Sequence, residues 1–339
     1  MSRAGGAHEF REAPDALRRQ SQLICDPLAE LVRHLRGRPP SLVMTCSRGS
    51  SANAAVFGKH LIERYLGLPV AAAAPNIATI YRRELQLGGQ LFLAISQSGR
   101  SDDLVAATRM ASAAGALTAA IVNDVESPLA AAADIILPMA AGHESGIAAT
   151  KSFVATLAAL LRLTAAWADD HALAAAIDRL PDRLNAAADL DWRSGLPLLS
   201  GAASMVAIGR GPTLAIAQEA ALKLKEGCDL HAEAFSGAEF RHGPIALVSA
   251  DYPVLILFPT DAAADGLREL TEALRRKGAA VLCAGCDGDG SLPAPPPDHP
   301  ATDAVCLIQS FYGFLGELAV ARGVDLMKPR HLQKVTRTT

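Results

Sequence analysis

Short unbroken apolar runs alternate along the chain with longer segments in which apolar residues recur every three or four positions. Leu42–Cys46 is a run of the first kind, and it leads through Arg48, Gly49, Ser50 and Ser51 into a helical pattern from about Ala52 to Leu66. Leu91–Ser96 is another, followed by a predicted helix from about Asp102 to Ala114. Ala119–Asn123 and Ile135–Leu137 are predicted as two further strands. Upstream, Leu17, Ile24, Leu28, Leu31 and Leu35 fall near a 3.6-residue period and predict a helix over residues 12–36, ended by Pro39 and Pro40. Helical patterns also cover about Thr150–Asp169, where Trp167 is expected to pack, and about His171–Asp189. Unbroken apolar strands between helices imply a parallel sheet covered on both faces.

The rhythm then repeats. Strands are expected at 204–209, 254–258, 280–284 and 305–308, with a Gly- and Pro-rich surface loop over 286–302, a helix over Phe311–Gly323 and a polar tail from Lys328 to Thr336. Arg48-Gly49 recurs as Arg210-Gly211, and the strand-to-loop junction at Ser96 recurs at Phe258, both 162 residues on. A repeat this long means two similar domains rather than a solenoid of small units. The expected fold is α/β, two tandem doubly wound domains with parallel sheets. The boundaries read as a helical segment 1–40, a first domain 41–170, a helical connector 171–195, a second domain 196–325 and a tail 326–339.

Composition narrows the functional classes. A chain of 339 residues, half of them hydrophobic, can build two cores without staples. The net charge of −3, from 32 basic and 35 acidic residues, gives no electrostatic case for nucleic acid or a membrane surface. Arg18-Arg19 and Arg275-Arg276-Lys277 read as solvated helix faces. The start of the chain is polar and without an apolar core, so no signal peptide is expected, and no apolar run is expected to span a membrane. Six scattered cysteines suit a reduced cytoplasmic protein. Cys283 and Cys286 form a lone Cys-x-x-Cys, expected to be two ordinary small residues.

Three stretches carry candidate chemistry. Ser96, Gln97, Ser98 and Ser101 sit where a parallel strand gives way to a helix, a position that offers free backbone N–H groups and partial positive charge to a phosphate. Ser50 and Ser51 add a hydroxyl pair on the neighbouring loop. Plain capping of the helix by its Asp102-Asp103 turn is the competing explanation. No Gly-x-x-x-x-Gly-Lys is present, so a nucleotide is not implied. The second stretch is Gln218–Gly227, in which Glu219, Lys223 and Glu226 share one helix face and Gly227 is expected to stop the helix. Spacing alone would make that face a solvated salt-bridge stripe. The following segment, 231–244, reads as a loop with His231, Glu233, Glu239 and His242, able to set a carboxylate base beside an imidazole. Its spacing fits no common zinc pattern, so no metal is expected. The third stretch, Gly142–Lys151, has small residues through which backbone can approach a ligand, or forms a turn with a cap.

Together these motifs resemble the SIS (sugar isomerase) family in tandem, as in the isomerase half of glucosamine-6-phosphate synthase and in SIS-type amino-sugar-phosphate deaminases. The stretches that carry it are Arg48–Ser51, Ser96–Gly99, Ala148–Lys151, Glu219–Glu226, His231–Glu233, His242–Pro244 and Pro329–Lys334. The resemblance implies flavodoxin-like domains and no cofactor. It implies that Ser50, Ser51, Ser96, Gln97, Ser98 and Ser101 hold a sugar phosphate and that Ala148 and Ala149 line the sugar. Glu226 would shuttle a proton between C1 and C2, with Lys223 supporting it. His242 would open the ring from the partner subunit of a homodimer, and Lys334 would approach the carbonyl carbon. Ser2 follows Met1 where the synthase has a cysteine nucleophile, so no glutaminase domain is expected. Ala149 stands where the synthase has Ser, and Arg100 where an acidic residue is usual. The implied reaction is deamination of glucosamine 6-phosphate to fructose 6-phosphate. A deglycase or isomerase for another sugar phosphate and a non-catalytic sugar-phosphate sensor are the rivals.

Overall fold

Each apolar run of the first repeat becomes a strand of one parallel sheet in a computed structural model of the chain, in which residues 6–326, 330 and 331 are described. The chain divides into two compact units. One comprises Asp15–Glu144 and Lys151–Asp178; the other comprises, among the described residues, 6–14, Ser145–Thr150, 179–326, 330 and 331.

In chain order the first repeat contains α1 (Ala13–Leu23), α2 (Cys25–Gly37), β1 (Val43–Ser47), α3 (Ser50–Leu66), β2 (Val70–Ala72), α4 (Asn76–Thr79), β3 (Leu91–Ser96), α5 (Asp102–Ala113), β4 (Leu117–Val122), β5 (Ile135–Pro138), α6 (Lys151–Ala168) and α7 (His171–Ala188). The sheet order is β2-β1-β3-β4-β5, all parallel. Every residue of β3 is buried, which is why its sequence is apolar from Leu91 to Ile95 before it ends in Ser96. The order reverses between β1 and β3, and that switch point opens a crevice at the carboxyl ends of both strands. The single helix expected over 12–36 is two helices separated at Ile24. Pro27 has no N–H to give the Leu23 carbonyl, so the helix restarts with the proline in its first turn. Trp167 is buried, as expected of a packing residue.

The second repeat contains α8 (Leu196–Leu199), β6 (Ser204–Gly209), α9 (Thr213–Cys228), β7 (His231–Ser236), α10 (Gly237–Arg241), β8 (Pro253–Leu257), α11 (Ala264–Arg276), β9 (Ala280–Ala284), β10 (Ser291–Leu292) and α12 (Pro300–Ala321). Its order, β10-β9-β8-β6-β7, is the first topology again, with β7 in the place of β2. The 162-residue shift holds beyond the motifs that revealed it. Asp102 and Ala264 open α5 and α11, Leu66 and Cys228 close α3 and α9, and Val70 falls on Ala232 of β7.

Several sequence expectations change here. Residues 231–236, expected in a loop, form edge strand β7; only Ala232 is fully buried, so the strand has no apolar run to announce it. Residues 305–308, expected as a strand, lie inside α12, which is apolar on nearly all sides because it is buried along most of its length. That helix starts at Pro300, and the expected loop over 286–302 also holds β10. By length and composition alone α12 could cross a membrane, but Asp303, Gln309 and Glu317 break its apolar run, as expected, and 72% of its most apolar stretch is buried. Gly227 does not stop α9: the helix runs to Cys228 and ends at Asp229 in the left-handed region, φ 48°. Gly227 is small because a Cβ there would lie 2.5 Å from Leu326. Cys283 and Cys286 are joined as a disulfide rather than standing as two separate small residues.

Arg322, just past α12, gathers the carbonyls that α8 and α9 leave without helical partners. Its guanidinium donates to Cys228 O at 2.7 Å, Leu199 O at 2.9 Å, and Ser200 O and Ala202 O at 3.0 Å. The end of α9 is thereby tied to the end of α12.

Candidate functional site

The switch point of the first sheet is where the expected phosphate cradle lies. Gly49, with φ 56°, turns β1 into α3, which begins at Ser50. Ser96 ends β3, and Ser101 occupies the N-cap position of α5. The Ser96 hydroxyl accepts from Gly99 N at 3.1 Å, and that of Ser98 from Arg100 N at 3.3 Å, which folds the loop back on itself. Gln97 contributes its carbonyl to Asn123 N at 3.3 Å. Ser101 makes no capping hydrogen bond, so capping does not account for its hydroxyl. Asp103 is buried and does both jobs: its Oδ1 accepts Leu104 N at 2.9 Å in the first turn of α5, and its Oδ2 accepts Nε and Nη2 of Arg48 at 3.0 and 2.7 Å. That ion pair, unnoticed in the sequence, fastens the Ser50-Ser51 loop to the Ser96–Ser101 loop. Its partners are 55 residues apart, so no spacing rule links them.

Gly99 makes the turn feasible. Its φ is 62°, and a Cβ would meet the Ser127 hydroxyl at 2.0 Å. Gly99→Ala is expected to cost about 1–3 kcal/mol through overpacking and to weaken phosphate binding. Thermal melts together with inorganic phosphate titration check both effects; unchanged phosphate affinity would refute the role of this turn.

The second sheet keeps the same turn, with Gly211 at φ 58°, but its hydroxyls are gone or committed. Pro212 stands where Ser50 stands in the first repeat, Phe258 where Ser96 does and Ala263 where Ser101 does. Thr213, the counterpart of Ser51, is buried and accepts Arg210 N at 3.0 Å while donating to Leu257 O at 2.7 Å. Thr260, the counterpart of Ser98, donates to the Asp303 carboxylate at 2.6 Å. The second crevice thus lacks the hydroxyl cluster of the first, and its acid, Asp303, is paired with Arg183 at 2.7 Å.

What the second repeat offers instead is on α9. Lys223 Nζ lies 2.6 Å from Glu226 Oε2 and 3.5 Å from Glu219 Oε1, and Tyr312 of α12 donates to Glu219 at 3.4 Å. The face is not a solvated stripe: the side chains of Glu219 and Lys223 are 0% and 1% exposed, and only Glu226, at 22%, reaches the surface. In the first repeat the positions of Glu219 and Lys223 are held by buried Phe57 and Leu61. Two charges therefore stand where the fold itself accepts hydrocarbon. Lys223 in turn holds one partly exposed carboxylate, Glu226, of the kind that can serve as a general base.

The other expected residues lie on separate elements. His242 follows α10, which Ser236 caps by accepting Glu239 N at 3.1 Å; its imidazole is exposed and makes no hydrogen bond to Glu226. Ala148 and Ala149 are half-buried in the stretch ahead of α6. Beside that stretch, the buried Glu144 carboxylate accepts the Ser152 hydroxyl at 2.6 Å, and buried Lys151 donates to His143 O. Lys334 lies outside the described residues. Among those described, no three His, Cys, Asp or Glu side chains are grouped to hold a metal, His231, Glu233, Glu239 and His242 included. Burial pushes the thiols of Cys46, Cys228 and Cys306 up to about 12, so none of the three is a thiolate nucleophile at neutral pH.

The chain matches the SIS domain over residues 42–166 and again over 198–293. It is 32% identical over 305 residues to glutamine--fructose-6-phosphate aminotransferase [isomerizing] of Caulobacter vibrioides, a match spanning 84% of this chain and 50% of that protein. The chain thus spans about half the length of the curated relatives it matches first. A candidate phosphosugar isomerase from Silicibacter pomeroyi DSS-3 superposes with a TM-score of 0.90 at 40% identity, covering 96% of this chain and 100% of that one. Glucosamine-6-phosphate deaminase from Thermotoga maritima shares the fold, with a TM-score of 0.73 at 24% identity over 94% of this chain and 99% of its own. With a doubled parallel sheet, a hydroxyl-lined switch point in one repeat and both repeats matched, the chain belongs to the SIS domain family, in tandem.

Proposed function

We propose that the protein is an amino-sugar-phosphate deaminase/isomerase that converts glucosamine 6-phosphate and water to fructose 6-phosphate and ammonia. The observation that carries this reading is the buried Glu219–Lys223 pair that holds a single accessible carboxylate, Glu226. A base fixed in this way suits proton transfer between adjacent carbons. Glu226 takes the proton from C2 and returns it to C1, while O1 gains a proton and the amino nitrogen gives one up, leaving a C1 hydroxyl and a C2 imine. Water adds to that imine and ammonia departs. The hydroxyls of Ser50, Ser51 and Ser101 and the loop Ser96–Ser98 take the phosphate. Ala148 and Ala149 border the sugar, His242 opens the ring from the partner subunit of a homodimer, and Lys334 attends the carbonyl carbon. No step calls for a cofactor, and the setting is cytoplasmic.

Purified protein incubated with glucosamine 6-phosphate is expected to release fructose 6-phosphate and ammonium in equal amounts. Fructose 6-phosphate without ammonium, or no turnover, would refute the deaminase. A second substrate class is favoured by Ala149, which lacks the hydroxyl found at that position in the related synthase. Galactosamine 6-phosphate and fructosamine 6-phosphate therefore belong in the same assay. Binding of a sugar phosphate without turnover of any of them would mark a sensor instead.

A further inference from the structure

The segment Ser145–Thr150, which leads to Ala148 and Ala149, has no regular secondary structure to hold it. What holds its start is a carboxylate from the beginning of the chain. Glu9 is buried, and its Oε1 accepts both the backbone N–H of Ser145 at 2.7 Å and the Ser145 hydroxyl at 2.6 Å. Its Oε2 accepts the N–H of Gly146 at 3.0 Å. Two successive amides and a hydroxyl thus converge on one side chain, 136 residues away from Ser145 in the sequence. The contact is close enough to specify the residue it meets: a Cβ on Gly146 would lie 3.0 Å from Glu9 Oε2 and 3.5 Å from Ala148 O. A side chain at Gly146 would press on the carboxylate, which sits within a residue or two of the backbone proposed to border the sugar.

Hydrogen bonds to an ionised acceptor are shorter and about twice as strong as neutral ones. A carboxylate with both oxygens occupied by loop donors fixes the rotation of the loop as well as its position. We infer that Glu9 is a positioning residue for sugar binding: it acts through Ser145 and Gly146 to set the Ala148–Ala149 backbone against the ligand. The inference rests on the reading above that this segment meets the sugar.

The test compares wild type with Glu9→Gln and Ser145→Ala on glucosamine, galactosamine and fructosamine 6-phosphates. Glu9→Gln keeps the shape of the side chain and removes its charge; Ser145→Ala removes only the hydroxyl contact. Glu9→Gln is expected to raise KM about tenfold with kcat held within about twofold, the signature of lost binding that is uniform along the reaction. Ser145→Ala should move KM in the same direction by about two- to threefold. Hydrogen exchange at the Ser145 and Gly146 amides should speed up in Glu9→Gln. If wild type turns over and both variants keep its KM, or if kcat and Tm fall together at constant KM, the inference is overturned while the proposed function stands. A wild-type protein with no turnover on any of the three sugars removes the proposed function and this inference together.

Discussion

Glu226→Gln is expected to leave a folded protein whose turnover falls by about 10²–10⁴-fold, the contribution of a positioned general base. The substitution is nearly isosteric, and the amide oxygen can still accept from Lys223 Nζ, which approaches to 2.6 Å in the native protein. Folding is thus preserved while proton transfer is lost. The site explains why this carboxylate, and not its neighbour, is the one to change. Glu219 shares the same lysine but is wholly buried, with Tyr312 against it, so no ligand reaches it. The measurement is kcat beside a thermal melt. Turnover within a few-fold of wild type at unchanged Tm would refute Glu226 as the base.

Lys223→Met has the largest expected effect on stability. It withdraws a cation that both Glu219 and Glu226 contact, and breaking a buried ion pair from one side costs about 3–5 kcal/mol. For a unit of this size that corresponds to a fall in Tm on the order of 10 °C. The companion variant carries Glu219→Met as well as Lys223→Met. With both buried charges replaced by chains of similar volume, stability should return to wild-type level or rise by about 1–4 kcal/mol, while turnover stays lost. The first repeat already shows the apolar solution, with Phe57 and Leu61 at the matching positions of α3. A Lys223→Met protein as stable as wild type would show that the pair costs the fold nothing to break.

The central strands of both sheets were legible as apolar runs, since a strand covered on two faces has no polar side. The edge strands were not: β7 alternates polar with small residues, and β2 is only three residues long. An all-round apolar helix such as α12 imitates a strand over any short window, so residues 305–308 misled. The helical spacing of Glu219, Lys223 and Glu226 placed them on one face but carried no information on what covers it. That depends on α12, some ninety residues further on, from which Tyr312 reaches Glu219. The cradle's hydroxyls were readable as a cluster, whereas the Arg48–Asp103 fastening and the Glu9 clamp join segments that only the fold brings together.

The altered crevice of the second repeat has a consequence for stoichiometry. Both sheets present the same switch point and the same glycine turn, so the backbone alone would make the chain bivalent for phosphate. Side chains at the positions of Pro212, Thr213, Phe258, Thr260 and Ala263 remove one of the two seats. With the first-repeat cradle as the proposed phosphate seat, the polypeptide is expected to be monovalent, and a titration that saturated at two phosphates per chain would overturn that seat.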